Sequence, residues 1–240
     1  MIADTILSVD GLSKSFGALR VAEDISFSVK EGEILGIIGP NGAGKTTIFA
    51  LLAGNLPMDS GQIVFQGQNI SVAPAFERAR LGMSRTYQVP KPFSHMSVFD
   101  NLKVAALFGG GLEEVETEGW IGQVMDLTGM TAARNILAGR LPLLLRKRHE
   151  LARALATRPS ILLVDEVAAG LTDLEVDEFI NLIKEIQLSG ITVIWIEHVM
   201  KTMLTATDRL MALAGGRVIA MGKPQEVITT DEVRRVYLGA

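Results

Sequence analysis

The run Ile34-Leu35-Gly36-Ile37-Ile38 constrains this chain more than any other feature. An uninterrupted apolar run of this length fits a strand buried on both faces, as in a parallel sheet. Directly after it comes Gly39-Pro40-Asn41-Gly42-Ala43-Gly44-Lys45-Thr46, followed by Thr47 and a helical pattern near Lys45–Ala53 that Gly54 stops. The eight residues satisfy G-x-x-x-x-G-K-[ST], between the strand and the helix that give the pattern its meaning. Glycines allow the backbone to wrap closely round an anion. Backbone N–H groups and the helix N-terminus then face phosphates. Lys45 is expected to reach the β- and γ-phosphates of a nucleotide, and the Thr46 hydroxyl to ligate Mg²⁺. The competing reading, a glycine turn with an incidental lysine, does not explain the strand and helix on either side.

Further segments repeat the alternation. Ile6–Val9 reads as a strand, and Ile25, Phe27 and Val29 alternate with polar residues as in a half-buried antiparallel strand. Ile161–Val164 and Thr192–Ile196 read as buried strands, and Val176, Phe179, Ile180, Ile183 and Ile186 recur at helical spacing before Gly190. Arg209–Leu213 and Val218–Met221 flank Gly215-Gly216 as a hairpin does. The class is α/β with a parallel sheet. Between Lys91 and Lys147 the pattern is helical instead: one helix at Val98, Leu102, Ala105 and Ala106, another at Ile121, Val124, Met125 and Leu127. The expected organisation is a single domain in which 1–88 and 148–240 form the core with an antiparallel β subdomain, and 89–147 a helical insertion.

Composition removes several alternatives. Cysteine is absent, so disulfides, thiolate metal sites and thiol nucleophiles are excluded. Apolar residues make up 48% and aromatics 5%, so the core is aliphatic and dominant disorder is excluded. A net charge of −4 argues against a general nucleic-acid binder. Ile34–Ile38, Val104–Leu112 and Leu141–Leu145 are the most apolar stretches, and all fall short of the ~18–20 residues of a membrane span. The start, MIADTILSVDG, has no basic segment leading into an apolar run, so no secretory signal is expected and the default expectation is a cytosolic chain.

A strand that ends in acids completes the chemistry. Ile161–Glu166 reads ILLVDE. The end of a buried parallel strand offers Asp165 as a holder of Mg²⁺, directly or through water, and Glu166 as general base for an attacking water. A surface acid pair capping the next turn is the competing reading, and the phosphate loop weighs against it.

GPNGAGKTT, with KSFGALRV near the start and VRRVYLG near the end, resembles the ATP-binding subunit of an ABC transporter. RTYQ, LARALATRPSILLVDE and AAGL make the chain most similar to the branched-chain amino acid uptake type. The resemblance implies a P-loop NTPase core of the ABC ATPase kind, binding ATP and Mg²⁺. It agrees on Asp165 and Glu166. It also implies that Gly39–Thr47 cradle the nucleotide and that Phe16 stacks on adenine. His198, which follows the strand Thr192–Ile196, would contact the γ-phosphate and position water. Gln88 would touch Mg²⁺ and the attacking water and couple the site to the membrane partner. Read without the resemblance, Phe16 fits a core position, Gln88 a polar turn before Pro90, and His198 a solvated or capping histidine. His95 and His149 have no comparable placement. Pro90, Phe93, Met96 and Val98 are implied to line a groove for a short helix of the membrane subunit.

One segment departs from the resemblance. The family's L-S-G-G-Q signature, which grips the γ-phosphate held by the opposite subunit, corresponds to Leu141-Pro142-Leu143-Leu144-Leu145. Pro142 has neither a hydroxyl nor a backbone N–H. Each lost hydrogen bond to a charged group is worth about 1.5–3 kcal/mol. The first reading is an asymmetric heterodimer whose partner supplies the intact signature. In the second, Arg146-Lys147-Arg148 and backbone groups replace the missing donors, and a third takes the basic triplet as a solvated helix face. The expected function is an ATPase that energises an importer, with branched-chain amino acids as solute. A urea or amide importer and a non-transport nucleotide switch are the alternatives. Expected partners are a second ATPase subunit, identical or different, integral permease subunits, indirectly a solute-binding protein, and no nucleic acid. The expected location is peripheral, on the cytoplasmic face of the inner or plasma membrane.

Overall fold

The structure, a computed structural model, describes residues 5–238. Expectations that touch Met1–Asp4, Gly239 and Ala240, namely the leader reading and the last residue of VRRVYLG, lie outside the described residues. In chain order the elements are β1 (Thr5–Phe16), β2 (Leu19–Lys30), β3 (Ile34–Ile38), α1 (Lys45–Leu52), β4 (Ser60–Phe65), β5 (Gln68–Asn69), α2 (Ala75–Arg80), β6 (Met83–Arg85), α3 (Val98–Val104), α4 (Glu114–Thr128), α5 (Leu143–Ala156), β7 (Ile161–Asp165), α6 (Asp173–Leu188), β8 (Thr192–Ile196), α7 (Met200–Ala206), β9 (Arg209–Ala214), β10 (Arg217–Gly222), α8 (Pro224–Val227) and α9 (Asp231–Leu238). They form two compact units, one of residues 5–75 with 192–238, the other of residues 76–191.

The first unit contains an antiparallel sheet in the order β2-β1-β4-β5. Leu7 faces Val29 and Val9 faces Phe27 in the β1–β2 register, and all four are buried while Ser26 and Lys30 stay in solvent. That is the period-two alternation of a sheet with one covered face. In the same unit β3 lies between β8 and β9, parallel to both, and β10 returns antiparallel to β9 across Gly215-Gly216. Every residue of β3 and β8 is buried, which accounts for their unbroken apolar runs. Gly36 is required for packing. A methyl there would lie 2.8–2.9 Å from Leu210, Thr207 and Met203, so its bare backbone lets α7 and β9 close on the strand.

In the second unit β6 and β7 run parallel, with Met83 opposite Ile161 and Arg85 opposite Leu163. No strand interrupts residues 89–147. α3 starts from a capping box between Ser97 and Asp100, and it runs on into a π-turn over Ala105–Gly109, which ends on the first residue of Gly109-Gly110-Gly111. α4 ends at Gly129, whose φ of 67° supplies the left-handed cap. α6 opens on a second capping box, Thr172 with Glu175. Val98, expected to line a surface groove, is fully buried at the first position of α3 and belongs to the core. The start of an amphipathic helix directs its apolar residue inward, so only Phe93, half exposed, and the partly covered Pro90 and Met96 remain at the surface.

His149 on α5 is fully buried, and neither ring nitrogen has a hydrogen-bond partner. Burial, reinforced by the positive charge of Arg153, lowers its pKa from 6.5 to about 4. The ring is neutral in the fold, while the unfolded chain takes up its proton as pH falls through the ordinary value. The unfolded state therefore binds more protons between about pH 6.5 and 4, and stability falls across that window. On acidification from pH 7 to 4, the wild type should lose on the order of 3 kcal/mol more than His149→Leu. Urea unfolding of both proteins at the two pH values tests this, and equal losses would contradict it.

Candidate functional site

The phosphate loop grows from the end of β3. Its curvature rests on Gly42 (φ 82°) and Gly44 (φ 100°), in backbone regions that L side chains rarely adopt. Gly44 is also hemmed in, because a Cβ there would lie 2.3 Å from the carbonyl oxygen of Val21. α1 begins at once, and the Gly44 cap offers no side-chain acceptor to its N-terminus. The Lys45 side chain folds back beneath the loop, 5% exposed, and its Nζ donates to Gly39 O at 2.6 Å and Pro40 O at 3.1 Å. Thr46 is exposed on the first turn of α1 and Thr47 is partly covered. Uncapped helix N–H groups, a loop without side chains in its bend and a lysine ready to move onto phosphate form a fitting cradle for ATP.

Parallel pairing of β3 with β8 matches Ile37 to Ile196. Gly39 and His198 each stand two residues beyond that pair, on one sheet edge, and the His198 ring is exposed there. Phe16 sits at the end of β1 in the antiparallel sheet, 52% exposed, with Lys14 Nζ 5.7 Å from its ring centroid. It is a surface aromatic and not a core residue, as stacking on a base requires. Tyr237 on α9, unnoticed in the sequence, hydrogen-bonds the backbone of Gly39, and burial pushes its phenol up to about 12.

The acids lie in the second unit at the tip of β7. Asp165 is 2% exposed and pairs through Oδ2 with Arg85 Nη2 at 2.7 Å. Its N–H donates to Thr86 Oγ1 at 3.1 Å, and the Thr86 N–H donates to Leu163 O at 2.9 Å. Register therefore delivers Arg85 to the acid and places Gln88 just beyond. Gln88 Nε2 donates to Glu166 Oε2 at 2.5 Å. Glu166 holds a φ of 46°, a left-handed backbone costly for a residue with a side chain. Among the described residues no three His, Asp or Glu gather as an all-protein metal cage. A lone hydroxyl such as that of Thr46 and a lone carboxylate such as that of Asp165 suit Mg²⁺, which takes most of its ligands from phosphates and water.

Pro142 caps α5 with no side-chain acceptor, Leu141 is buried, and Leu143 is 48% exposed over Gly170. The basic triplet is engaged within the chain, with only Lys147 buried: Arg146 Nη2 donates to Leu141 O at 3.1 Å, Lys147 Nζ to Val167 O at 2.6 Å and Arg148 Nη2 to the exposed Glu178 at 2.6 Å. Arg85 lies inside RTYQ, but no residue pattern before it singled it out. Lys147 was read only as part of a basic stretch, which carries no mark of the side it faces.

A profile described as ABC transporter matches residues 22–169. The chain belongs to this family. It is 35% identical to the lipopolysaccharide export system ATP-binding protein LptB of Escherichia coli K12, over 97% of each chain. A probable ABC transporter ATP-binding protein of Azorhizobium caulinodans is 34% identical over 99% of this chain and 84% of its own. Among solved structures, an ATP-binding cassette of an ABC transporter in its ADP conformation superposes with a TM-score of 0.89 at 28% identity, over 99% of this chain and all of the other. The fold is that of an ABC ATPase, and the chain is an ATPase that uses ATP with Mg²⁺ and couples hydrolysis to transport. Neither relative is named for amino-acid uptake.

Gly44→Ala would place a methyl against the Val21 carbonyl at a φ that alanine resists. Strain of about 1–3 kcal/mol should weaken ATP binding about ten- to hundredfold. Titration with a fluorescent ATP analogue measures this, with Lys45→Ala, expected to abolish binding, as the reference. Wild-type affinity in the glycine variant would remove the steric argument.

Proposed function

We propose that this chain is one half of an asymmetric ATPase pair that energises uptake of hydrophobic, branched-chain amino acids through integral permease subunits. The observation that carries the asymmetry is the engagement of the basic triplet within this chain. Arg146, Lys147 and Arg148 are each engaged by an acceptor of this chain. With Pro142 lacking a donor, only backbone N–H groups are left at the start of α5 to grip a phosphate across a dimer. The phosphate loop keeps its own groups, so a partner with an intact signature would complete this chain's site, whereas this chain would complete the partner's poorly.

Within the site, Lys45 would leave the Gly39 and Pro40 carbonyls for the β- and γ-phosphates. Gly39–Thr47 would cradle the nucleotide through backbone N–H groups, and Phe16 would stack on adenine. Thr46, Asp165 and Gln88 would hold Mg²⁺, which when bound neutralises charge developing on the phosphates. Glu166 would accept the proton of the attacking water at its carboxylate, with Gln88 and His198 orienting that water. Residues 89–147 would form the helical subdomain that meets the permease, around the exposed Phe93. No described helix is long and apolar enough to cross a membrane. Attachment would then be peripheral, through the permease, on the cytoplasmic face. A solute-binding protein would be an indirect partner.

The amino-acid reading is supported by RTYQ, LARALATRPSILLVDE and AAGL. The name of the Escherichia coli relative favours a second reading, export of lipopolysaccharide. Solute is read by other subunits, so capture of the native complex and identification of its membrane components separates the two. The asymmetry has its own test. Glu166→Gln, which should bind ATP without turning it over, is expected to stay monomeric alone with ATP in light scattering after size exclusion. A tight ATP-induced homodimer would overturn the asymmetric reading.

A further inference from the structure

Three side chains on α5 at successive i,i+3 steps reach the two loops that carry Gln88 and Glu166. Lys147 donates to Val167 O at 2.6 Å, one residue past Glu166. The Glu150 carboxylate is hydrogen-bonded by the backbone of Tyr87, one residue before Gln88. Arg153 Nη1 donates to Lys91 O at 3.1 Å and to Glu150 at 3.1 Å. Residues three apart are neighbours on a helix, so the contacts form one slanting stripe. Lys147 and Glu150 are 6% and 5% exposed, unusual for such residues without a specific purpose.

Lys147 holds the position of greatest leverage. Glu166 has a φ of 46°, a conformation that persists in a residue with a Cβ only when its surroundings over-determine it. On one side its carboxylate meets Gln88 Nε2. On the other, the carbonyl of the next residue, Val167, is held by a buried ammonium. A charge-assisted hydrogen bond is about twice as strong as a neutral one, so a buried ammonium holds that carbonyl firmly. Val167 is itself buried, so the residue after Glu166 is anchored through both its carbonyl and its side chain.

We infer that Lys147 is a positioning residue for hydrolysis: through the Val167 carbonyl it locks the left-handed backbone of Glu166 and so aims the carboxylate. This rests on the reading of Glu166 as general base. The helix whose N-terminus has lost the side-chain donors for a partner's phosphate would thereby still serve this chain's own site. Without the bond, Glu166 can relax toward an ordinary backbone, which swings its Cβ and carboxylate away from the direction they now hold. Nucleotide binding depends on the loop after β3 and would be unaffected.

The test is steady-state ATP hydrolysis by the assembled transporter, with nucleotide affinity titrated separately. Lys147→Met keeps the length of the side chain and removes the donor. It should lower kcat about ten- to hundredfold, the scale of a small misplacement of a reacting group, with KM and nucleotide Kd within about twofold of wild type. Lys147→Gln keeps a donor and should recover part of the lost kcat. Circular dichroism and thermal unfolding check the fold, and Lys147→Ala, which admits water to the Val167 carbonyl, takes the place of a Met variant that does not fold. A donorless variant with kcat near wild type, a joint loss of kcat and nucleotide affinity, or a Gln variant no better than Met would each overturn the inference. Glu166→Gln runs in parallel: hydrolysis surviving there removes the general-base reading, whereas wild-type turnover in Lys147→Met removes only the positioning role.

Discussion

The Lys45 ammonium on the carbonyls of Gly39 and Pro40 is the interaction on which the nucleotide end of this protein depends. A loop built to bind an anion directs its N–H groups into one cavity, and it needs an internal cation to keep the carbonyls turned away. Lys45 supplies that cation and is 5% exposed in doing so. The rest of the loop follows from making room for it. Gly44 takes a left-handed backbone against Val21, Gly39 lies close to Leu213, and α1 starts without a side-chain cap. β3 can end so abruptly because β8 and β9 cover both its edges and leave only its C-terminal end open.

At the tip of β7 the chain uses a different device. There the charged groups are carboxylates, and consecutive residues are braced by three separate side chains. Arg85 meets Asp165, Gln88 meets Glu166, and Lys147 meets the carbonyl of Val167. A buried carboxylate such as Asp165 needs a counter-charge, and a left-handed residue such as Glu166 needs external restraint. Two of the braces come from the segment Arg85–Gln88 and one from α5. Movement of either segment would therefore be felt at the acids.

The apolar segment before α5 gains meaning from these contacts. Leucines in place of phosphate donors weaken a composite site only if nothing nearby substitutes for them. The adjacent basic residues are committed to Leu141, Val167 and Glu178. On the reading proposed above, loss of a shared site on one side with retention on the other would fit two different subunits that divide the work.

Much of this was legible in the residues. Unbroken apolar runs specified β3, β7 and β8 because strands buried on both faces admit nothing else, and the glycine-rich loop with Lys45 and Thr46 declared a phosphate site because few other functions need that spacing. Asp165 and Glu166 followed from their place at the end of such a run. Sequence also established what the chain lacks: cysteine chemistry, and side-chain donors at residues 141–145. It could not assign Arg146, Lys147 and Arg148, because a basic triplet reads alike whether it faces solvent, a phosphate or the protein interior. It placed Val98 on a groove because an apolar residue at a helix start carries no mark of which side it faces. Those decisions belong to the tertiary structure. Only packing of α5 against the loops of its own unit determines which carbonyl the Lys147 ammonium can reach, and partners so far apart in the chain leave no periodic trace in the sequence.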